Sequence, residues 1–545
     1  MKIALAQLNY HIGNFDSNTK KIIDAITRAK REGADVVVFA ELSVCGYPPK
    51  DFLEFEDFIL RCEHSVNEIA KQCVGISAIV GAPSKNPKVE GKNLFNSAFV
   101  LENGKIKSVH HKGLLPTYDV FDEYRYFEPA KDFHCAEIAG KKIALTICED
   151  LWDVEDDLMY TQWPMEELIK QQPDIMINIA ASPFNYDHAE MRRKVLKRNV
   201  SKYKLPLVYL QHVGAQTELI FDGGSMVLNE EGELIQELRY FEEDFLILNT
   251  EVDSQQSTVN SQKSSSKESL IHDALVLGIK DYFGKMNFSK AILGLSGGID
   301  SALVLVLAIR ALGKENVLPV LMPSEFSSQH SVDDSIALCK NLDCTYETIP
   351  IKDGYDEVLK MLSPVFKDTK FNVAEENIQA RLRAITLMGI ANKFGYILLN
   401  TTNKSEVAVG YGTLYGDMCG GISVIGDVYK TEVYELCNFI NAEKEIIPNN
   451  ILTKAPSAEL RPGQKDSDSL PEYPVLDKIL FEYIEKRQGP KELVQMGFQK
   501  DLVDRILKMV NSNEWKRAQM APVLRISTKA FGSGRRMPIV GKYLG

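Results

Sequence analysis

The stretch ILGLSGGIDSALV, residues 292–304, decides how the second half of the chain reads. It opens with an apolar run suited to a buried strand. The turn Ser296-Gly297-Gly298-Ile299-Asp300-Ser301 follows, and then a second apolar run suited to a helix. Adjacent glycines between strand and helix expose consecutive backbone N–H groups. The helix start adds unpaired donors and partial positive charge. Such a turn cradles a phosphate. It lacks the lysine that γ-phosphoryl transfer in a Walker-type loop requires. That absence favours chemistry at an α-phosphate, with pyrophosphate held in the loop. Ser296 and Ser301 offer hydroxyls, and Asp300 offers an oxygen ligand for Mg²⁺.

Around this turn the chain alternates strand and helix patterns. KAILGL (290–295), NVLPVLMP (316–323), TYETIPI (345–351) and YILLNTT (396–402) read as strands. SLIHDALVLGIKDYFGKM (269–286), SALVLVLAIRAL (301–312, stopped by Gly313) and SVDDSIALCKNLD (331–343) read as helices. The rhythm predicts a doubly wound parallel sheet of Rossmann-like α/β type, with ligands at the carboxyl ends of its strands.

Upstream, DSQQSTVNSQKSSSKES (253–269) holds seven serines and no aromatic residue, the composition of a linker. The expected division is residues 1–250, a linker at 251–268, and residues 269–545. The first part mixes β-like runs such as KIALAQ (2–7), VVVFAEL (36–42) and KKIALTICED (141–150) with helical segments. Ile22, Ile23, Ile26 and Ala29 fall at helical spacing. LENGK (101–105), with Asn-Gly between two β-like runs, signals a hairpin.

The net charge of −12 disfavours nucleic-acid binding. No run approaches the ~20 apolar residues of a membrane span. The nine cysteines are scattered without a CxxC pair, which fits a reducing cytoplasm and argues against a cysteine zinc site.

Three polar residues of the first part follow β-like runs. Glu41 comes after VVVFA, Lys112 after KIKSVHH, and Cys148 after KIALTI. Their chemistry is complementary. A thiolate attacks an amide carbonyl to form a thioester. A carboxylate takes the thiol proton and delivers it to departing ammonia. A lysine lowers the thiol pKa and stabilises the oxyanion, and the Glu149 backbone N–H is a second candidate donor.

The order AELSVCGYP, HKGLLP, CEDLW resembles the Glu-Lys-Cys triad of the nitrilase superfamily. That resemblance implies a four-layer α-β-β-α sandwich over residues 1–250. It makes Glu41 the general base, Lys112 the oxyanion cation and Cys148 the nucleophile. It adds Tyr118, Ser182 and His188 as glutamine-binding residues, with Glu123 a second carboxylate beside the triad. The family commonly has Gly-Lys or a similar basic residue where this chain has Asp187-His188. A largely neutral imidazole is a poorer carboxylate partner.

SGGIDS is similar to the pyrophosphate loop of the N-type ATP pyrophosphatases. These enzymes adenylate a carbonyl oxygen and let a nucleophile displace AMP. Joined to a nitrilase-type half, the loop resembles the glutamine-dependent NAD⁺ synthetases. That resemblance implies an ATP site at Gly294, Leu295, Ser296, Gly297, Gly298, Ile299, Asp300, Ser301 and Thr401. It implies a deamido-NAD⁺ site at Asn377, Glu406 and Lys516, with Asp300 and Glu406 on Mg²⁺. Arg381 and Arg383 are offered for the dinucleotide, and Lys404 and Lys430 for ATP phosphates. PSAEL (456–460) leads into a polar stretch that reads as a lid. The basic tail TKAFGSGRRMP (528–538) reads equally as phosphate-binding or as solvated surface. A cytoplasmic homo-oligomer with dinucleotide sites near a subunit interface is implied as well. The residues by themselves leave open an amidotransferase acting on another carboxylate.

Overall fold

A computed structural model describes residues 1–152, 159–250 and 266–544. The chain forms two compact units, Met1–Ser265 and Ser266–Gly545. Most of the expected linker lies outside the described residues. Its last positions already belong to a helix: the Ser266 side chain caps Lys267–Lys285 by accepting from Ser269 N.

The first unit stacks two six-stranded sheets. One runs, in spatial order, Asp244–Asn249, Lys2–Gln7, Val36–Val38, Ser77–Lys85, Leu94–Glu102, Lys105–His111. The other runs Leu234–Glu237, Met226–Leu228, Leu207–Gln211, Ile175–Ala180, Lys141–Ile147, Ala136–Ile138. Their inner strands touch, and helices cover the outer faces. Strands covered on both sides lack alternation, as in Ile175–Ala180, apolar but for Asn178 and with all six residues buried. The helix Phe15–Arg31 buries Ile22, Ala25, Ile26 and Ala29, so Ala25 rather than Ile23 completes its apolar stripe. Asn103 (φ 51) and Gly104 (φ 78) make the left-handed pair that closes the expected hairpin between Leu94–Glu102 and Lys105–His111.

The second unit is built on a five-stranded sheet. Its order is Glu347–Thr348, Val317–Leu321, Lys290–Gly294, Tyr396–Asn400, Ile422–Ser423, and every pairing is parallel. The strand that enters the glycine turn is therefore central, at the point where the strand order reverses. The helix Ile299–Leu312 is buried almost all round, with Leu303 to Leu307 continuous in the core. Helices Lys267–Lys285 and Lys430–Ile440 pack against it. TYETIPI contributes only Glu347–Thr348 to the sheet, both exposed at its edge; Pro350 lacks the N–H a longer ladder would use. A further helical cluster, centred on Tyr473–Ile484 and Lys500–Ser512, has a core of its own.

Candidate active sites

Glu41, Lys112 and Cys148 all stand just past strand ends, the first two on one sheet and Cys148 on the other. Glu41 and Lys112 are fully buried and Cys148 is 3% exposed. Lys112 Nζ donates to Glu41 Oε1 at 2.7 Å and to Glu123 Oε1 and Oε2 at 2.8 and 2.9 Å. The second oxygen of Glu41 accepts from Ala181 N at 3.0 Å. Tyr47 OH donates to Glu123 Oε1 at 2.9 Å. Cys148 has φ +42, a left-handed backbone that a non-glycine residue adopts only when its surroundings hold it there.

Asp150 does much of that holding. Its Oδ2 accepts from Ile147 N at 3.0 Å, and its Oδ1 accepts from Gly113 N and Leu114 N, both at 2.9 Å. One carboxylate thus ties the cysteine turn to the backbone just after Lys112. Burial pushes the Asp150 carboxyl up to about 6, against the three N–H donors.

The Cys148 thiol is pushed well above its ordinary value, by burial first and then by Glu41; Lys112 opposes this and loses. The sequence reading had the lysine lower the thiol pKa. Here the lysine's charge is committed to two carboxylates, so the resting thiol keeps its proton and needs a base. Burial pushes the Glu123 carboxyl up to about 7, with Lys112 opposing and Glu41 reinforcing.

Around this centre, Tyr118 OH donates to Glu149 Oε1 at 2.9 Å, and Tyr160 OH donates to the same oxygen at 3.1 Å. Ser182 Oγ lies 3.2 Å from His188 Nε2, and the His188 ring stacks on Trp152 at 5.0 Å. Tyr118, Ser182 and His188 thus sit on segments flanking the cysteine turn.

In the second unit the glycine turn opens onto a cavity of about 310 Å³. Gly294, Leu295, Ser296, Gly298, Ile299, Asp300 and Ser301 line it, with Thr401, Glu406, Lys430 and Arg383. Ser296 N and Oγ meet Ser301 Oγ at 3.3 and 3.2 Å, and Ser301 Oγ donates to Gly298 O at 3.1 Å, stitching the turn shut. Gly297 has φ +78, and a Cβ there would stand 2.3 Å from Ser331 O. Only glycine permits both that conformation and that approach.

Asp300 Oδ1 accepts from Asn403 Nδ2 at 2.9 Å, and its Oδ2 pairs with Lys430. Lys430 Nζ is also 3.6 Å from Glu406 Oε1. Burial opposes the Lys430 charge, but Asp300 and Glu406 outweigh it and raise its pKa. Burial and the Asp300 charge push Glu406 up to about 8. PSAEL lines the cavity and is strapped down: Glu459 Oε1 accepts from Ser328 Oγ and Ser331 Oγ, each at 2.8 Å.

Both units match known families. Residues 2–259 match the carbon-nitrogen hydrolase model and residues 271–520 the NAD synthase model. The glutamine-dependent NAD(+) synthetase of Synechocystis is 47% identical over 98% of both chains. The chain belongs to the glutamine-dependent NAD(+) synthetases. The Thermotoga maritima member is 39% identical over 100% of this chain and 99% of its own. The solved Acinetobacter baumannii synthetase, in complex with ADP, superposes with a TM-score of 0.79 at 37% identity, covering 99% of this chain and 98% of that one.

Not every residue carried over from the family pattern lines the synthetase cavity. Lys404, expected to meet phosphates, is fully buried between Asp427 and Glu485 at 2.9 and 2.8 Å. It locks a structural network and turns away from the cavity. Asn377 accepts from Thr413 Oγ1 at 2.8 Å, and Lys516 Nζ donates to Gly410 O and Gly412 O at 2.9 and 3.0 Å. Both brace the segment 410–413 and are not among the cavity's lining residues. Arg381 likewise donates to Leu414 O at 3.2 Å. In the basic tail, Arg535 pairs with Glu514 at 2.9 Å and packs on Phe531.

The sequence reading missed Asn96, Tyr47, Asp150 and the Glu149 side chain in the first site, and Asn403 and Glu459 in the second. Asp150 was readable as the third residue of CED. Tyr47 lies within AELSVCGYP, but nothing in one sequence marks its role or singles out Asn96; both reach the site through sheet pairing and loop packing.

Proposed function

We propose that the chain makes NAD⁺ by ATP-dependent amidation of deamido-NAD⁺, with ammonia released from L-glutamine, giving AMP, diphosphate and glutamate. The observation that carries this is the coexistence in one chain of two centres: a buried Lys112–Glu41–Glu123 cluster beside the strained Cys148 turn, and a lysine-free glycine turn opening onto a cavity.

In the glutaminase unit Glu41 accepts the Cys148 proton as Sγ attacks the side-chain amide carbon. Lys112 faces the oxygen that gains negative charge. Glu41 then protonates the departing nitrogen, and water hydrolyses the thioester to glutamate. Tyr118, Ser182 and His188 hold the glutamine. In the synthetase unit the carboxylate of deamido-NAD⁺ attacks the α-phosphorus while the glycine turn, residues 294–301, and Thr401 hold ATP. Pyrophosphate leaves, ammonia adds to the acyl carbon, and AMP departs. Asn377, Glu406 and Lys516 are assigned to deamido-NAD⁺.

Asp300 and Glu406 converge on Lys430, and their oxygens are the hard donors that would hold Mg²⁺. Among the described residues no group of three or more His, Cys, Asp or Glu could hold a metal ion, so Asp300 and Glu406 are the protein ligands proposed for it. When bound, the ion neutralises charge on the phosphates. The enzyme is assigned to the cytoplasm as a homo-oligomer with dinucleotide sites near a subunit interface. No helix among the described residues is long and apolar enough to cross a membrane.

The test is synthesis from ATP, deamido-NAD⁺ and amide-¹⁵N glutamine. Label is expected in the nicotinamide, and its absence in active protein overturns the reading. Cys148→Ala is expected to lose glutamine-supported synthesis and to keep synthesis from ammonium. Loss of both by a folded variant refutes the division of labour.

A further inference from the structure

Asn96 is the third residue of the strand Leu94–Glu102 and is 1% exposed. Its Nδ2 donates to Glu41 Oε1 at 2.7 Å and to Glu123 Oε2 at 3.3 Å. Its carbonyl oxygen accepts from Lys112 N at 2.9 Å, through the hairpin register. Two carboxylates therefore share two bridges, one cationic from Lys112 and one neutral from Asn96. One ammonium cannot neutralise both acids. A carboxamide adds donors to the pair without being able to take its proton.

The partners of the two acids differ in kind. Glu41 is met by Asn96 Nδ2, Lys112 Nζ and Ala181 N, all of which only donate. A proton on Glu41 would point at donors. Glu123 is met by Lys112, by the longer Asn96 contact and by Tyr47 OH, which can turn and accept. The Asn96 orientation follows from the acids, since its oxygen in that place would face two carboxylates. With both hydrogens so aimed, Asn96 Oδ1 is left buried without a hydrogen-bond partner, an arrangement that ordinary packing avoids.

We propose that Asn96 is a positioning residue of the glutaminase centre, holding Glu41 as the ionised base and leaving the proton of the acid pair to Glu123. The other titratable groups facing the pair are Lys112 after Lys105–His111, Tyr47 in the loop after Val36–Val38, Cys148 in the turn after Lys141–Ile147, Tyr209 in Leu207–Gln211, and Tyr160. The raised Glu123 carboxyl, whose first cause is burial, agrees with this division. Removing the carboxamide hydrogens takes one donor from Glu41. Its proton then binds more tightly, and hydrolysis needs a higher pH.

The inference rests on the Glu41–Lys112–Cys148 reading of the glutaminase. Asn96→Leu in the full-length enzyme removes both donors at near-constant shape and adds neither a charge nor a proton acceptor. The readouts are the pH profile of kcat for glutamine hydrolysis, KM for glutamine, and synthesis supported by ammonium. The acidic limb is expected to move up by about one pH unit, with kcat near neutrality about tenfold lower. KM for glutamine and ammonium-supported synthesis are expected to stay within about twofold of the parent values. An unshifted limb, or an equal loss of ammonium-supported synthesis, overturns the proposal. If Asn96→Leu does not fold, Asn96→Val, which likewise carries no donor, takes its place, and an unshifted limb overturns the proposal again. Failure of the triad reading itself is seen separately, as glutamine hydrolysis surviving in Cys148→Ala.

Discussion

Gly297→Ala tests whether backbone contact positions the phosphate turn. Gly297 has φ +78, where an alanine costs roughly 1–2 kcal/mol. The added Cβ would meet Ser331 O at 2.3 Å, against 3.4–4 Å for ordinary contact, so the turn or the start of the helix Gln329–Asn341 must move by about 1 Å. Ser331 cannot retreat freely, because its Oγ donates to Glu459 and accepts from Lys454. The turn is the part that gives, and a ~1 Å misplacement of a binding group costs about a hundredfold in rate. We therefore expect kcat/KM for ATP to fall about a hundredfold, or ~2.7 kcal/mol of transition-state stabilisation. The assay is steady-state AMP formation with ammonium as nitrogen donor, which bypasses the glutaminase. Circular dichroism and the thermal midpoint confirm folding. A folded variant with kcat/KM for ATP within threefold of the parent would refute the reasoning.

Two further expectations concern buried charge. Lys404→Met leaves Asp427 and Glu485 facing each other without their shared cation, and is expected to cost about 3–5 kcal/mol in urea denaturation. A loss below about 1 kcal/mol would show that the network is not structural. Glu123→Gln removes an acid whose folded pKa, about 7, lies above its ordinary 4.5. Between those values the native state keeps a proton that the unfolded chain has released, so this group's contribution to stability falls as pH rises through the window. The variant is expected to flatten that fall in thermal midpoint between pH 5 and pH 7, and an unchanged slope would count against the raised carboxyl.

Much of the fold was legible because local signals agreed with the global arrangement. The apolar run after the glycine turn became a helix buried almost all round. Asn103-Gly104 became the hairpin turn. The short parallel strands were readable from continuous Val, Ile and Leu. Legibility failed where burial overrode residue type. Lys404 follows a strand and stands beside Glu406, as a phosphate ligand would, yet its helix turns it into a pocket of carboxylates. TYETIPI has strand composition, but its partner strand ends and its proline cannot extend the ladder. Asn96 looks like any polar residue in a strand, and its meaning depends on what neighbouring strands and loops bring beside it.

Residue order alone is enough to name the chemistries present: a thiol, a lysine and a carboxylate past strand ends, and a glycine turn without lysine before a helix. Those signals are local, carried by residue type within a few positions. Tertiary structure decided how the groups are charged and paired. Residues 41, 96, 112 and 123 meet through strand pairing and loop packing on one sheet, and residue 148 joins them because the second sheet stacks against it. Burial there makes one lysine serve two acids and keeps the thiol protonated, so the base becomes indispensable. Desolvation and charge proximity are properties of the packed molecule, and they have no counterpart in the order of residues along the chain.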